Sequence, residues 1–291
     1  MRPTEPLEHG NTSDDLWRRV AAQLEALADQ PYVAEDYRRF RRDVLAGQWA
    51  ARAGLRTVPA SAAVALASPD TLVLRRLLDA IAAAAARYGQ GSPDLLRLGE
   101  AADTDPALLA ALTAWTAPTP DVPALQKLSK RLEVAFDALL LAGRLLAAPF
   151  LAPLTQAAAE RGLLSGDHAD AGGQCPICGA LPGIARLDRP DGQRVLHCGL
   201  CGASWRFARL ACPACGTRDR ESLNYVRVGD DAPRWLETCS ACGAYLKVVD
   251  TRRLPEGSQI WPLVEDTATL HLDLLAEREG CRRQAPYAAL W

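Results

Sequence analysis

Eight of the chain's nine cysteines fall into four Cys-x-x-Cys pairs: Cys175/Cys178, Cys198/Cys201, Cys212/Cys215 and Cys239/Cys242. A glycine follows every second cysteine, at Gly179, Gly202, Gly216 and Gly243. A two-residue spacer lets both sulfurs face one tetrahedral ion while the turn amides point at the first sulfur. Glycine supplies the positive φ that finishes such a turn. One Cys-x-x-Cys would fit a thioredoxin-like redox pair equally well, but four with the same trailing glycine point to metal ligation. Tetrathiolate sites suit zinc and mononuclear iron alike, so the residue types leave the metal's identity open.

The pairs are themselves repeated. "CPICG" and "CPACG" begin 37 residues apart, and "CGLCGASW" and "CSACGAYL" 41 apart. Each repeat reads C-P-x-C-G, about 20 residues, then C-x-x-C-G-A. Between its knuckles the first repeat carries "RPDG" flanked by "GIARLD" and "QRVLHC", and the second carries "GDDAP" flanked by "SLNYVRV" and "RWLETC". Both read as a hairpin between knuckles, the rubredoxin or zinc-ribbon arrangement. Duplication favours serial ligation over an interleaved cross-brace. One site is then Cys175, Cys178, Cys198 and Cys201, the other Cys212, Cys215, Cys239 and Cys242.

Other chemistry is harder to place. His197 adjoins Cys198, but the cysteine count is already complete; His168 and His271 have no converging partners, and Cys281 stands apart beside Arg282 and Arg283. There is no phosphate-binding G-x-x-x-x-G-K-[ST] and no assignable Ser-His-Asp or Cys-His set, so a non-enzyme is expected. Residues 171–254 hold 12 Lys and Arg against 8 Asp and Glu, a net +4. Two divalent tetrathiolate sites carry about −2 each, which this surplus balances. With a formal charge of −2 overall, no basic field remains for a nucleic acid.

The elements that must position these ligands separate by composition. Residues 1–165 contain no cysteine and read as Ala/Leu/Arg-rich helices. Leu16, Val20, Leu24 and Leu27 share a face behind a Ser13 cap, and Leu74, Leu77, Ile81 and Tyr88 share another, closed by Gly89. Ser68-Pro69, Ser92-Pro93 and Asp105-Pro106 predict helix starts. A long helix from about Pro123 is expected to carry Leu125, Leu128, Leu132, Phe136 and Leu139 on one stripe. Residues 166–174 read as a linker, 175–210 as the first metal module, 211–256 as the second, and 257–291 as a C-terminal helical segment capped at Asp266 and stopped at Gly280. The fold class is therefore a multidomain α plus small β protein: a helical domain, two tandem rubredoxin-like (zinc-ribbon) modules of four cysteines each, and a C-terminal helix. The apolar stretch "VAFDALLLAGRLLAAPFLAPL" is broken by Asp137, Arg144, Pro149 and Pro153 and is expected as a buried helix, without membrane insertion. No apolar segment follows the first basic residues, which points to the cytoplasm.

The four knuckles, with "LHCGLCGASWRFARLACPACG" and "ETCSACGAYLKVVDTR", resemble the formate dehydrogenase accessory protein family, FdhE, over about a quarter of the chain. The resemblance implies a cytoplasmic accessory factor that acts on the catalytic subunit of formate dehydrogenase before export, with rubredoxin-type iron at the eight cysteines. Two other functions stay open beside it. One is a rubredoxin-like electron carrier with iron in four thiolates, shielded by Trp205, Phe207, Trp235 and Tyr245, which read more readily as ordinary core of ribbons too small to bury much else. The other is a zinc-ribbon nucleic-acid-binding or scaffold protein.

Overall fold

Among the described residues, eight α-helices precede the first cysteine: α1 (Ser13–Glu25), α2 (Glu35–Ala53), α3 (Ala62–Ala67), α4 (Thr71–Tyr88), α5 (Ser92–Thr104), α6 (Leu108–Thr116), α7 (Val122–Leu132) and α8 (Phe136–Glu160). They belong to a computed structural model that describes residues 13–55, 58–89, 92–105, 107–117, 119–164, 173–229 and 233–283. Most of the expected linker, His168 included, and the side chains of Ser13 and Ser92 lie outside the described residues. Leu74, Leu77, Leu78 and Ile81 of α4 are buried with Leu108, Leu112, Leu139, Leu145 and Leu146 in one helical core. Gly89 ends α4 in the left-handed conformation, φ 67°, as a C-terminal glycine does.

Several helix boundaries differ from expectation, among them the start of α6, which is Leu108 behind Ala107. The cap of α4 is Asp70, which accepts from the amides of Leu72 and Val73, while Ser68 ends α3 instead. The predicted long helix is two. Glu133 turns left-handed at φ 54° between α7 and α8. The Ser129 hydroxyl donates to the Val134 carbonyl at 2.7 Å and Arg97 donates to the Glu133 carbonyl at 2.7 Å. These contacts hold a conformation that a residue with a Cβ rarely adopts.

Helix α8 is long and apolar enough to cross a membrane by composition, yet 67% of its most apolar window is buried against the rest of the protein. Its 25 residues include Pro149 and Pro153. Pro149 has no N–H to give the Leu145 carbonyl one turn earlier. Gln48 of α2, fully buried, donates its Nε2 to that carbonyl at 2.6 Å. Leucine at position 48 should therefore leave a buried carbonyl without a donor and cost about 1–3 kcal/mol. Urea unfolding of Gln48→Leu measures this; an unchanged midpoint would refute the role.

Beyond residue 173 the chain forms β1 (Pro182–Asp188), β2 (Gln193–Cys198), β3 (Ser204–Arg206), β4 (Leu223–Arg227), β5 (Arg234–Cys239) and β6 (Ala244–Asp250), then α9 (Pro262–Ala268), α10 (Leu270–Arg278) and β7 (Arg282–Arg283). Each repeat is a three-stranded antiparallel meander, β1-β2-β3 or β4-β5-β6. The repeats do not stand apart as beads. Strand β1 pairs in parallel with β6, Ile184 opposite Lys247 through Leu187 opposite Asp250, so that one sheet runs β3-β2-β1-β6-β5-β4. Strand β7 adds to β6 beside Ala244 and Tyr245.

Helices and sheet share their cores. Ala65, Leu66, Ala147 and Leu151 pack in one cluster with Leu187, Leu196, Trp205 and Trp235. Val20, Leu24, Leu45 and Trp49 pack in another with Ile184, Val249, Leu263 and Val264. Asp266, expected as a helix cap, is instead inside α9 and buried. Its carboxylate pairs with Lys247 at 2.6 Å, Arg41 at 3.8 Å and Arg283, partners that a capping position would not reach. Gly280 follows α10 with φ 71°.

Candidate metal centres

Four knuckles are built alike. The amides of Gly179, Gly202, Gly216 and Gly243 donate to the carbonyls of Cys175, Cys198, Cys212 and Cys239 at 2.8, 3.2, 2.8 and 2.8 Å. All four glycines have φ between 69° and 78°, the region that disfavours any residue with a Cβ. The amides of Cys175, Cys198 and Cys212 then bond carbonyls beyond their own glycine, those of Ala180, Ala203 and Thr217, at 2.8–2.9 Å. The amides of Leu200 and Cys201 lie 3.4 Å from the Cys198 sulfur. Such bonds offset thiolate charge.

The structure brings the eight sulfurs together in two groups of four. Cys175, Cys178, Cys198 and Cys201 form one and Cys212, Cys215, Cys239 and Cys242 the other, with all sulfurs of a group within 4.8 Å of one another. Cross-pairs lie at 3.5 Å in the first group and 3.8 Å in the second. A regular tetrahedron with metal–sulfur bonds of about 2.3 Å has edges of about 3.8 Å, so each group could hold one metal ion. Disulfide bonding needs sulfurs about 2.05 Å apart, and none joins the described cysteines.

Surroundings differentiate the groups. The first is wholly buried, whereas in the second Cys215 is exposed and Cys242 half-buried. Burial pushes the Cys212 thiol up to about 12. Burial acts the same way on Cys215, but the Thr217 amide and hydrogen bonds from Cys242, Cys212 and Cys239 outweigh it and hold this thiol below the usual range. A metal must displace whatever protons remain, so ligation here is proton-coupled.

Arg194, on β2 of the first repeat, braces the second. Its Nη1 donates to the Ala208 and Ala211 carbonyls at 3.2 and 2.8 Å, just before Cys212, and its Nη2 pairs with Glu237 of β5. Burial nevertheless pushes the Glu237 carboxyl up. From the helical side, Thr155 of α8 donates its hydroxyl to the Cys201 carbonyl at 2.9 Å. Neither brace has a local sequence signal, since each crosses between elements distant in the chain.

The remaining candidates stay outside both groups. His197 bonds Ser204 Oγ through Nδ1 at 2.7 Å, and His271 stacks on Tyr32 with ring centroids 4.6 Å apart. Cys281 lies near the Glu279 carbonyl, and burial pushes its thiol up. Trp205, Phe207 and Trp235 are buried in the same cluster as the first four cysteines, and Tyr245 packs with Leu236, Leu272 and Ala276.

Residues 174–209 match the family model described as FdhE, central domain, and residues 210–290 the one described as FdhE, C-terminal domain. Over residues 174–290 the chain is similar to the FdhE family. The boundary between these FdhE domains falls between the two cysteine quartets. The "Protein FdhE homolog" of Aquifex aeolicus (strain VF5) is 34% identical over 109 residues, 36% of this chain and 38% of that protein. That of Stutzerimonas stutzeri (strain A1501) is 36% identical over 148 residues, 47% of each. The chain thus spans less than half the length of the curated FdhE relatives it matches. The crystal structure of the FdhE protein from Pseudomonas aeruginosa superposes over 98% of this chain and 99% of its own with a TM-score of 0.54 at 22% identity. This likeness shows that the two chains share a fold.

Proposed function

We propose that the protein is a cytoplasmic, metal-binding assembly factor for formate dehydrogenase, which binds the catalytic subunit before export and has no catalytic turnover of its own. The observation that carries this reading is the coincidence of the two cysteine quartets with the FdhE central and C-terminal domains. Cys175, Cys178, Cys198 and Cys201 hold one ion, and Cys212, Cys215, Cys239 and Cys242 the other. Iron is favoured and zinc is the alternative. A bound ion supplies folding energy, and iron in addition a one-electron couple. The chain's own contribution is a buried cage at one site, a half-open one at the other, and the helices fastened to both.

Tagged protein purified anaerobically from its own cells should recover the catalytic subunit of formate dehydrogenase, and deleting the gene should abolish that enzyme's activity. Failure of both would overturn the reading. Metal analysis with absorption spectra on the same material separates ferric tetrathiolate, which is coloured, from zinc, which is silent. Zinc alone would remove iron and electron transfer together.

A further inference from the structure

One face of α8 packs against the cluster that holds the first quartet. Ala147 and Leu151 lie in the buried cluster that contains Cys175, Cys178, Cys198 and Cys201. One turn on, Thr155 bonds the Cys201 carbonyl; one turn back, at the same three-to-four spacing, stands Arg144. This arginine is 2% exposed. It rides where α8 lies hard against α6: a Cβ at the neighbouring Gly143 would come within 2.5 Å of Thr116 Oγ1. Its Nη1 reaches the Thr116 carbonyl at 3.5 Å, while Nε and Nη2 find no hydrogen-bond partner among the described residues.

A guanidinium keeps its charge when buried, and a buried charge is costly unless an opposite charge faces it. Burial pushes Arg144 down, and the thiolate fields of Cys198, Cys178 and Cys201 pull it back up. A divalent ion in four thiolates leaves about −2 on the centre, which Arg144 is placed to balance. The second quartet is built differently, for Cys215 is exposed and Cys242 half-buried. Two of its four ligands therefore face solvent.

We propose that the two centres have different tasks: the first, closed over by α8 and balanced by Arg144, keeps its metal, whereas the second is the exchangeable centre, giving up or accepting metal at the surface through Cys215 and Cys242. This rests on both quartets binding metal, as proposed above. The chemical class it fits at the second centre is a small thiol or chelating donor that attacks from solvent. The first centre offers such a donor no approach.

The test uses the full chain loaded with zinc, challenged with 4-(2-pyridylazo)resorcinol and, in parallel, with iodoacetamide followed by mass spectrometry. Fewer than two zinc ions per loaded chain would overturn the occupancy itself. With two bound, zinc should leave in two steps of one ion each, Cys215 and Cys242 being alkylated in the first while Cys175, Cys178, Cys198 and Cys201 stay protected. Cys212→Ser/Cys215→Ser should keep one zinc and show the slow step alone. Arg144→Met should speed the slow step roughly 10–100-fold, the usual effect of removing a group that supports metal ligands, and Arg144→Lys should restore most of it. Single-step release, or alkylation of the first quartet first, would overturn the asymmetry. An unchanged slow step in Arg144→Met would overturn the arginine's part, and the wild-type labelling order stands whether or not that variant folds.

Discussion

With a metal held by the first quartet, as proposed, serine in place of Cys198 should cost the protein that ion and the join between helices and sheet. Cys198 is fully buried, and its sulfur lies 3.5 Å from that of Cys178 and accepts the Leu200 and Cys201 amides. Structural zinc contributes about 10–16 kcal/mol in zinc-finger peptides at neutral pH. A whole domain is stable by about 5–15 kcal/mol, so losing even half of that contribution, about 5–8 kcal/mol, is comparable with the lower half of that range. The damage should also spread, because the four thiols share one buried cluster with Trp205, Trp235 and Leu151. Thermal unfolding followed by circular dichroism should show the native transition lost or lowered by tens of degrees, with metal content falling by one ion per chain. Cys215→Ser, at an exposed ligand, should also lose one ion but retain a cooperative transition. A Cys198→Ser protein melting within about 5 °C of wild type, where about 1–2 kcal/mol would suffice for that shift, would sink the claim.

What the sequence discloses and what it hides follow from the range of the interactions involved. The knuckles are local: spacing, trailing glycine and repeat suffice, because the turn that aims two sulfurs is complete within five residues. The hairpins at "RPDG" and "GDDAP" are nearly as local. The parallel pairing of β1 with β6 is not, as it joins residues about 63 positions apart, and no turn announces it. Nothing in either repeat therefore says that two ribbons become one sheet. Helix ends failed where two signals competed within a few residues, as at Ser68 and Asp70. The break at Glu133 was hidden for another reason: an unbroken Leu/Phe stripe runs across it, and the groups that hold it are Ser129 and the distant Arg97. Arg144 is the sharpest case. In sequence it only interrupts an apolar run, and its burial at the junction of α6 and α8 is visible only in the fold.

Asparagine at position 266 should be the most damaging change outside the metal centres. Asp266 is 3% exposed and faces Lys247 on β6, Arg283 on β7 and Arg41 on α2, so one carboxylate ties the sheet, its edge strand and the helical region together. Asp273 also reaches Lys247, at 2.8 Å, and Arg283, at 3.7 Å, and would be left to face both cations without its buried neighbour. Removing one partner of a buried ion pair costs about 3–5 kcal/mol, because the charges left behind lose compensation without regaining water. Burial alone would push the Asp266 carboxyl up, yet Arg283, Lys247 and Arg41 outweigh it and hold it well below the usual carboxylate range. A carboxylate depressed in the folded state stabilises fully above its unfolded pKa of about 3.9 and progressively less below it. The gap in unfolding free energy between wild type and Asp266→Asn should thus be full at pH 6 to 7 and begin to close as pH drops below about 5. Denaturant titrations of both proteins across that range measure the gap. A gap under about 1 kcal/mol at pH 7, or one that widens on acidification, would mean that the surrounding cations are satisfied by other groups.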